Sequence, residues 1–296
     1  MGKRTKPVRP RTLKRSSRGS GAVRSLTEGG GAASTGPSTP FTTTGTGMAT
    51  YIEGADALAQ SLDGLGFERI QRHSTATYRD SSTVIIVPSR DDKFHHRVVN
   101  GWQNLIAPMN QKRAFLYVIG DEVGKAYTNT IQSILADPNL KTWKYVMTLE
   151  SDNIVPPDAH IRLLESIEEF KLDGVSGIYF TKGDVNMPMA YGDPAAYRET
   201  GVLDFKPLDV RAAITSGRVV EVNGIAMGCS LYRMDLFREI QPPWFVTVND
   251  IVEGKGVQGF TQDLFFAERA KRAGKRFGVD MRVRVGHLDL ASGIVY

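Results

Sequence analysis

Tyr145-Val-Met-Thr-Leu-Glu-Ser-Asp-Asn-Ile-Val-Pro-Pro157 runs an apolar segment straight into two acids. Tyr145 to Leu149 lacks the apolar/polar alternation of a half-exposed strand, which marks a strand covered on both faces. In extended chain, residues two apart point to the same side. Glu150 and Asp152 are therefore expected to aim together into the space beyond the strand end, where open α/β sheets bind ligands. Two converging carboxylates repel unless a cation or donor sits between them. Oxygen-rich ligation suits Mg²⁺ or Mn²⁺, which in turn can hold a diphosphate. The bland alternative is that one carboxylate caps the next turn and the other is solvated.

Outward from this stretch, apolar runs alternate with helical patterns. Thr83 to Val87 and Ala114 to Ile119 read as further buried strands, and Gly177 to Phe180 as a fourth. Helical spacing predicts helices over 55–65, 96–106, 127–135 and 158–170, the last capped by Asp158. This β-α-β-α-β-α-β succession predicts an α/β fold, a mostly parallel central sheet with helices on both faces. Residues 181–218 are irregular and rich in Pro and Gly, and read as a long loop. A strand at 219–222, helices near 234–240 and 262–273, and a last strand at 278–285 follow. There is no internal repeat.

The 296 residues carry a net charge of +5, but the basicity is local. Residues 1–24 hold nine of the 37 Lys/Arg and no acid, leaving 28 bases against 32 acids in the rest. Residues 25–50 are mostly Gly, Ser, Thr and Pro with one aromatic, Phe41. Such a stretch cannot bury enough apolar surface to offset its ordering entropy. Residues 1–50 thus read as a disordered basic arm and linker, and 51–296 as one folded domain. The arm offers a polyanion contact through residues 1–24, or is simply solvated. Met48 is an alternative start, and the Arg/Ser-rich beginning also resembles an organelle transit peptide. No run of about 18 apolar residues predicts a membrane span. The single cysteine, Cys229, excludes an internal disulfide framework and a clustered-cysteine zinc site. It suits a reducing compartment, and a cytoplasmic location is expected.

Two further acids and bases draw attention. Asp263 opens an amphipathic helix, where it either complements the helix dipole or acts as a general base aimed outward. His287 follows the last strand in Val283-Arg-Val-Gly-His287 and could join Asp152 in a metal shell. His73, His95, His96 and His160 have no such context. Trp244 and Tyr191 either stack on a ligand or anchor packing. The glycine-rich segment 249–259 suits a mobile lid.

Taken in order, these elements resemble the GT-A-fold glycosyltransferases, in the broad family-two-like group. Glu150-Ser-Asp152 is similar to that group's acidic metal motif. Asn223-Gly-Ile-Ala-Met-Gly-Cys-Ser-Leu-Tyr-Arg233 resembles its Gly-rich strand and turn, Gln262-Asp263 its acidic helix start, and His287 its trailing histidine. The resemblance spans residues 83–288 and implies a Rossmann-related, GT-A-like domain over 51–296. It implies that Pro88, Ser89 and Arg90 shape a nucleotide pocket and that Asp121 meets the base or ribose. Asp152 and His287 would bind Mn²⁺ or Mg²⁺, with Glu150 nearer the ribose or a metal-bound water. The donor implied is a nucleotide-sugar, a UDP-sugar first among them. Inversion is the expected outcome, with Asp263 deprotonating the acceptor hydroxyl. Glu150 stands where Asp is commoner in the group, and Gln262 where an acid is common. The acceptor is open: a hydroxylated base in modified DNA, a protein or a glycan.

Two other classes stay in view. A nucleotidyltransferase on a similar sheet would place a Gly-rich loop after the first strand, and Val87-Pro-Ser-Arg-Asp91 has no glycine. A non-enzymatic nucleic-acid-binding or virion-type structural protein would use the arm and tolerate Asp152→Ala.

Overall fold

The computed structural model describes residues 80–296 except 253–255, with the side chains of 250–258 not described. The expected basic arm, the linker, the helix over 55–65 and His73 lie outside these residues.

The strands are β1 (Thr83–Ser89), β2 (Arg113–Ile119), β3 (Tyr145–Leu149), β4 (Asn153–Ile154), β5 (Gly174–Ile178), β6 (Ala190–Tyr191), β7 (Val219–Val222), β8 (Gly224–Ile225), β9 (Cys229–Arg233), β10 (Val248–Val252), β11 (Gly256–Phe260), β12 (Phe277–Arg284) and β13 (Gly286–His287). The helices are α1 (His96–Gln103), α2 (Val123–Ala136), α3 (Ala159–Glu169), α4 (Pro194–Thr200), α5 (Arg211–Ser216), α6 (Met234–Glu239) and α7 (Gln262–Arg272).

Seven strands form the central sheet in the order β2-β1-β3-β9-β5-β12-β7. The pairs β1·β2, β1·β3 and β5·β12 are parallel. Strand β9 runs antiparallel to both β3 and β5, and β7 antiparallel to β12. Five strands thus point one way, and their carboxyl ends share one edge of the sheet. The chain also inserts β9 between β3 and β5, a reversal that the apolar runs alone did not indicate.

Strand β1 shows how the two faces are covered. Val84 and Ile86 join Tyr127, Ile131 and Ile134 of α2 in one core, while Ile85 and Val87 join Trp102 of α1 and Leu163 and Ile167 of α3 in the other. Residues of both kinds are fully buried. Each such aliphatic side chain contributes roughly 1.5–3 kcal/mol on burial. The expected α/β architecture with helices on both faces is present.

Several local expectations change. Asp158 precedes α3 but makes no side-chain capping bond; its Oδ2 instead accepts from Arg162 Nε at 2.5 Å. Residues 181–218 are not a bare loop, since they contain β6, α4 and α5. Within the glycine-rich stretch, β10 pairs antiparallel with β11, setting Asn249 opposite Gly259, which leaves the expectation of a lid as it stood. Among the described residues, no helix is long and apolar enough to cross a membrane.

Candidate active site at the carboxyl edge of the sheet

The end of β3 is tied to the start of β9. Glu150 N–H donates to Gly228 O at 3.2 Å, and Asn153 N–H then donates back to Glu150 O at 3.2 Å. The chain therefore turns at Glu150, and strand alternation does not place Asp152 as expected. Gly228 is required by close approach: a Cβ there would lie 2.5 Å from Asn153 Oδ1 and 2.7 Å from Tyr179 Cζ. Its N–H donates to the Tyr179 hydroxyl at 2.9 Å.

After the turn, β4 pairs antiparallel with β13, setting His287 opposite Asn153. Leu288 N–H donates to Asp152 O at 2.8 Å. This pairing carries the His287 ring to the acid, with Nε2 3.5 Å from Asp152 Oδ2. His287 Nδ1 lies 2.8 Å from Phe180 O. A carbonyl has no proton to give, so Nδ1 donates to it, and Nε2 is the ring nitrogen turned toward Asp152. This is how metal-binding histidines are oriented. On the same Oδ2 sits the ammonium of Lys182, at 2.5 Å. Burial works to raise the Asp152 pKa, but His287 and Lys182 outweigh it and hold the carboxyl below its ordinary range.

Glu150 behaves oppositely. Burial, then the neighbouring charges of Asp152 and Asp263, push its pKa up to about 8. In the cation-free chain at neutral pH it keeps its proton, and a neutral carboxyl donates a hydrogen bond rather than binding a cation. Among the described residues, no group of three or more His, Cys, Asp or Glu side chains is arranged to hold a metal. The expected trio of Glu150, Asp152 and His287 is thus not a ready three-ligand shell: Asp152 and His287 converge, and Glu150 keeps its proton. Asp152 and His287 by themselves suit a divalent cation, because a carboxylate oxygen and an imidazole nitrogen, both common ligand atoms, lie 3.5 Å apart. A cation of this kind takes its remaining ligands from water and substrate phosphates.

Asp263 is not aimed outward. Phe266, Ala267 and Ala270 dock α7 on the core, leaving Asp263 8% exposed. Gly124 lets α2 approach this helix start, since a Cβ there would lie 3.0 Å from Phe245 O and 3.3 Å from Gln262 Cβ. Burial raises the Asp263 pKa, against the Thr261 hydroxyl and the helix N–H groups. Its Oδ1 is buried without a hydrogen-bond partner. A buried carboxylate with a free oxygen and a raised pKa is a better base than a solvated one.

Tyrosines line the same region. The Tyr127 hydroxyl is buried and unpartnered, and burial and then Glu150 raise its pKa. Tyr191 is partly buried and donates to Met189 Sδ at 2.9 Å, a weak acceptor. Its pKa is raised by burial, then by Asp263 and Glu150.

The residues expected to shape a nucleotide pocket stand at the same edge. Pro88 and Ser89 end β1 and are buried, and Arg90 beyond them is exposed. Ser89 O accepts from Gly120 N at 2.9 Å. Asp121 pairs with Lys125 at 3.5 Å on the surface. Its neighbour Glu122 caps α2 through Lys125 N–H at 2.9 Å and accepts from Thr247 Oγ1 at 2.7 Å.

Trp244 is a packing anchor, buried edge-on to Phe237 with Nε1 donating to Ile240 O at 2.6 Å. His95 caps α1 by accepting from Arg97 N–H at 3.3 Å. His160 is buried, 3.0 Å from Thr83 Oγ1. Lys182, Tyr127 and Tyr179 were not singled out from the sequence. Lys182 sits in an irregular segment, and both tyrosines fill ordinary apolar positions.

No protein-family model and no curated protein matches this sequence. Among solved structures, the crystal structure of A197 from STIV is similar at a TM-score of 0.47 and 16% identity, over 70% of this chain and 86% of that one.

Proposed function

We propose that the chain is a GT-A-like glycosyltransferase that moves a sugar from a nucleotide-sugar, a UDP-sugar in the first instance, to an acceptor hydroxyl. The observation that carries this reading is the convergence of Asp152 and His287 at the end of β3, with Nε2 3.5 Å from the Asp152 Oδ2 atom. That is the donor chemistry a divalent cation on a diphosphate requires. Asp152 and His287 would hold Mn²⁺ or Mg²⁺, which when bound supplies positive charge to the departing diphosphate. Asp263 takes the proton of the acceptor hydroxyl as its oxygen attacks the anomeric carbon, and the nucleoside diphosphate leaves with the bonding electrons. Inversion follows from that single displacement. Glu150, protonated in the cation-free chain, is suited to donate to a ribose or sugar oxygen. Pro88, Ser89, Arg90 and Asp121 would border the nucleotide.

A thermal-shift panel of UDP, GDP, CDP and TDP, each with Mn²⁺ and with a chelator, tests this on wild type and Asp152→Ala. A ligand at 100 times its Kd adds about 2.7 kcal/mol. One nucleotide should shift the transition only with both metal and Asp152 present. No shift with any nucleotide would sink the reading and favour a non-enzymatic binding protein.

A further inference from the structure

Resting on that reading, we propose that Lys182 is the site's transferable counterion: it neutralises Asp152 while the site is empty and moves to the donor's diphosphate when a divalent cation takes the carboxylate. Lys182 Nζ lies 2.5 Å from Asp152 Oδ2, the oxygen that His287 Nε2 also faces at 3.5 Å. An ammonium and a divalent cation cannot share that oxygen without strong like-charge repulsion. One must leave.

The backbone keeps the displaced lysine close. Thr181 N–H donates to Met187 O at 2.9 Å, Met187 N–H to Thr181 Oγ1 at 3.0 Å, and Thr181 Oγ1 to Val185 O at 2.9 Å, closing a tight turn around Lys182. Phe180, two residues earlier, holds His287 through its carbonyl. The anchor of the lysine is thus the anchor of the histidine, while its four-carbon stem is free to swing. Among the described residues, Lys182 is the one Lys or Arg bonded to any of Glu150, Asp152 and Asp263. The donor's two phosphoryl charges and the ionised Asp152 together exceed what one divalent cation offsets, and the remaining negative charge is what the lysine meets. A lysine point charge suits phosphate oxygens.

The test is Lys182→Met in the full chain, by titration calorimetry with Mn²⁺ alone and by the nucleoside diphosphate panel with Mn²⁺. Removing the competitor should tighten Mn²⁺ alone by about tenfold, while the diphosphate that binds wild type should weaken by about tenfold or more. Lys182→Arg should recover the diphosphate affinity. Opposite signs are required, because a lysine that merely braces the turn would weaken both ligands when lost. Both affinities falling together, or neither changing while wild type still binds its nucleotide, would overturn the role of Lys182 alone. Failure of every nucleotide on wild type would overturn it together with the transferase reading.

Discussion

Glu150→Gln should make the cation-free protein more stable at neutral and alkaline pH, and the gain should vanish in mild acid. Glu150 has its pKa raised from 4.5 to about 8 by burial and by the charges of Asp152 and Asp263. The folded chain therefore holds a proton up to about pH 8 that the unfolded chain releases near pH 4.5. Between those limits the folded state binds more protons, so stability is fully present below the lower pKa and is lost as pH rises through the upper one. At pH 7 the difference of roughly 2.5 units amounts to about 3 kcal/mol, and above pH 8 to about 5 kcal/mol. For a domain of about 200 residues, 3 kcal/mol corresponds to a Tm shift of roughly 6–12 °C. A glutamine keeps the shape and removes the charge. Thermal melts of both proteins with chelator, from about pH 5 to about pH 9, should show curves that meet in acid and diverge steadily upward. Parallel curves over that range would refute the burial and repulsion assigned to Glu150.

Three other perturbations read different parts of the molecule. His160 is held neutral by burial and then by Arg113, its pKa lowered from 6.5 to about 4. Its contribution is present above pH 6.5 and lost as pH falls toward 4, about 3 kcal/mol in all, so a His160→Gln melt should be flatter than wild type across that window; identical slopes would count against it. Asp263→Asn should lower the transfer rate by roughly 10²–10⁴-fold while leaving nucleotide-induced stabilisation in place, and a variant that still transfers sugar at the wild-type rate excludes Asp263 as the base. Gly228→Ala would set a methyl 2.5 Å from Asn153 Oδ1 and 2.7 Å from Tyr179 Cζ. Denaturant titration should show a loss of about 1–3 kcal/mol, with the Mn²⁺-dependent shift gone; unchanged stability would mean that the turn has slack the packing does not suggest.

How much of this was legible in the sequence depends on whether the signal is local. Thr83 to Val87 and Tyr145 to Leu149 are continuous apolar runs because α1, α2 and α3 cover both faces of the sheet, and such burial is written into each strand's own residues. Strand direction is not. Cys229-Ser-Leu-Tyr-Arg233 reads the same whether it runs with its neighbours or against them, and only the pairing of Leu149 with Cys229 shows the reversal. The irregular composition of 181–218 likewise hid α4 and α5, helices of seven and six residues.

The site divides along the same line. Asp152 and His287 could be matched from sequence because each follows a strand ending at the edge where ligands bind. What joins them is the short β4·β13 pairing, a contact between positions 134 residues apart that no periodicity encodes. Strand alternation makes Glu150 equivalent to Asp152 only if the strand continues past Leu149, where the chain in fact turns. The Asn153-to-Glu150 hydrogen bond breaks that equivalence, and the pKa shifts are opposite: burial and the neighbouring acids raise Glu150, while His287 and Lys182 lower Asp152. The difference is useful chemically. With one carboxyl held ionised and another held neutral, the site can bind a cation and donate a hydrogen bond, whereas two ionised acids would repel each other until a cation sat between them.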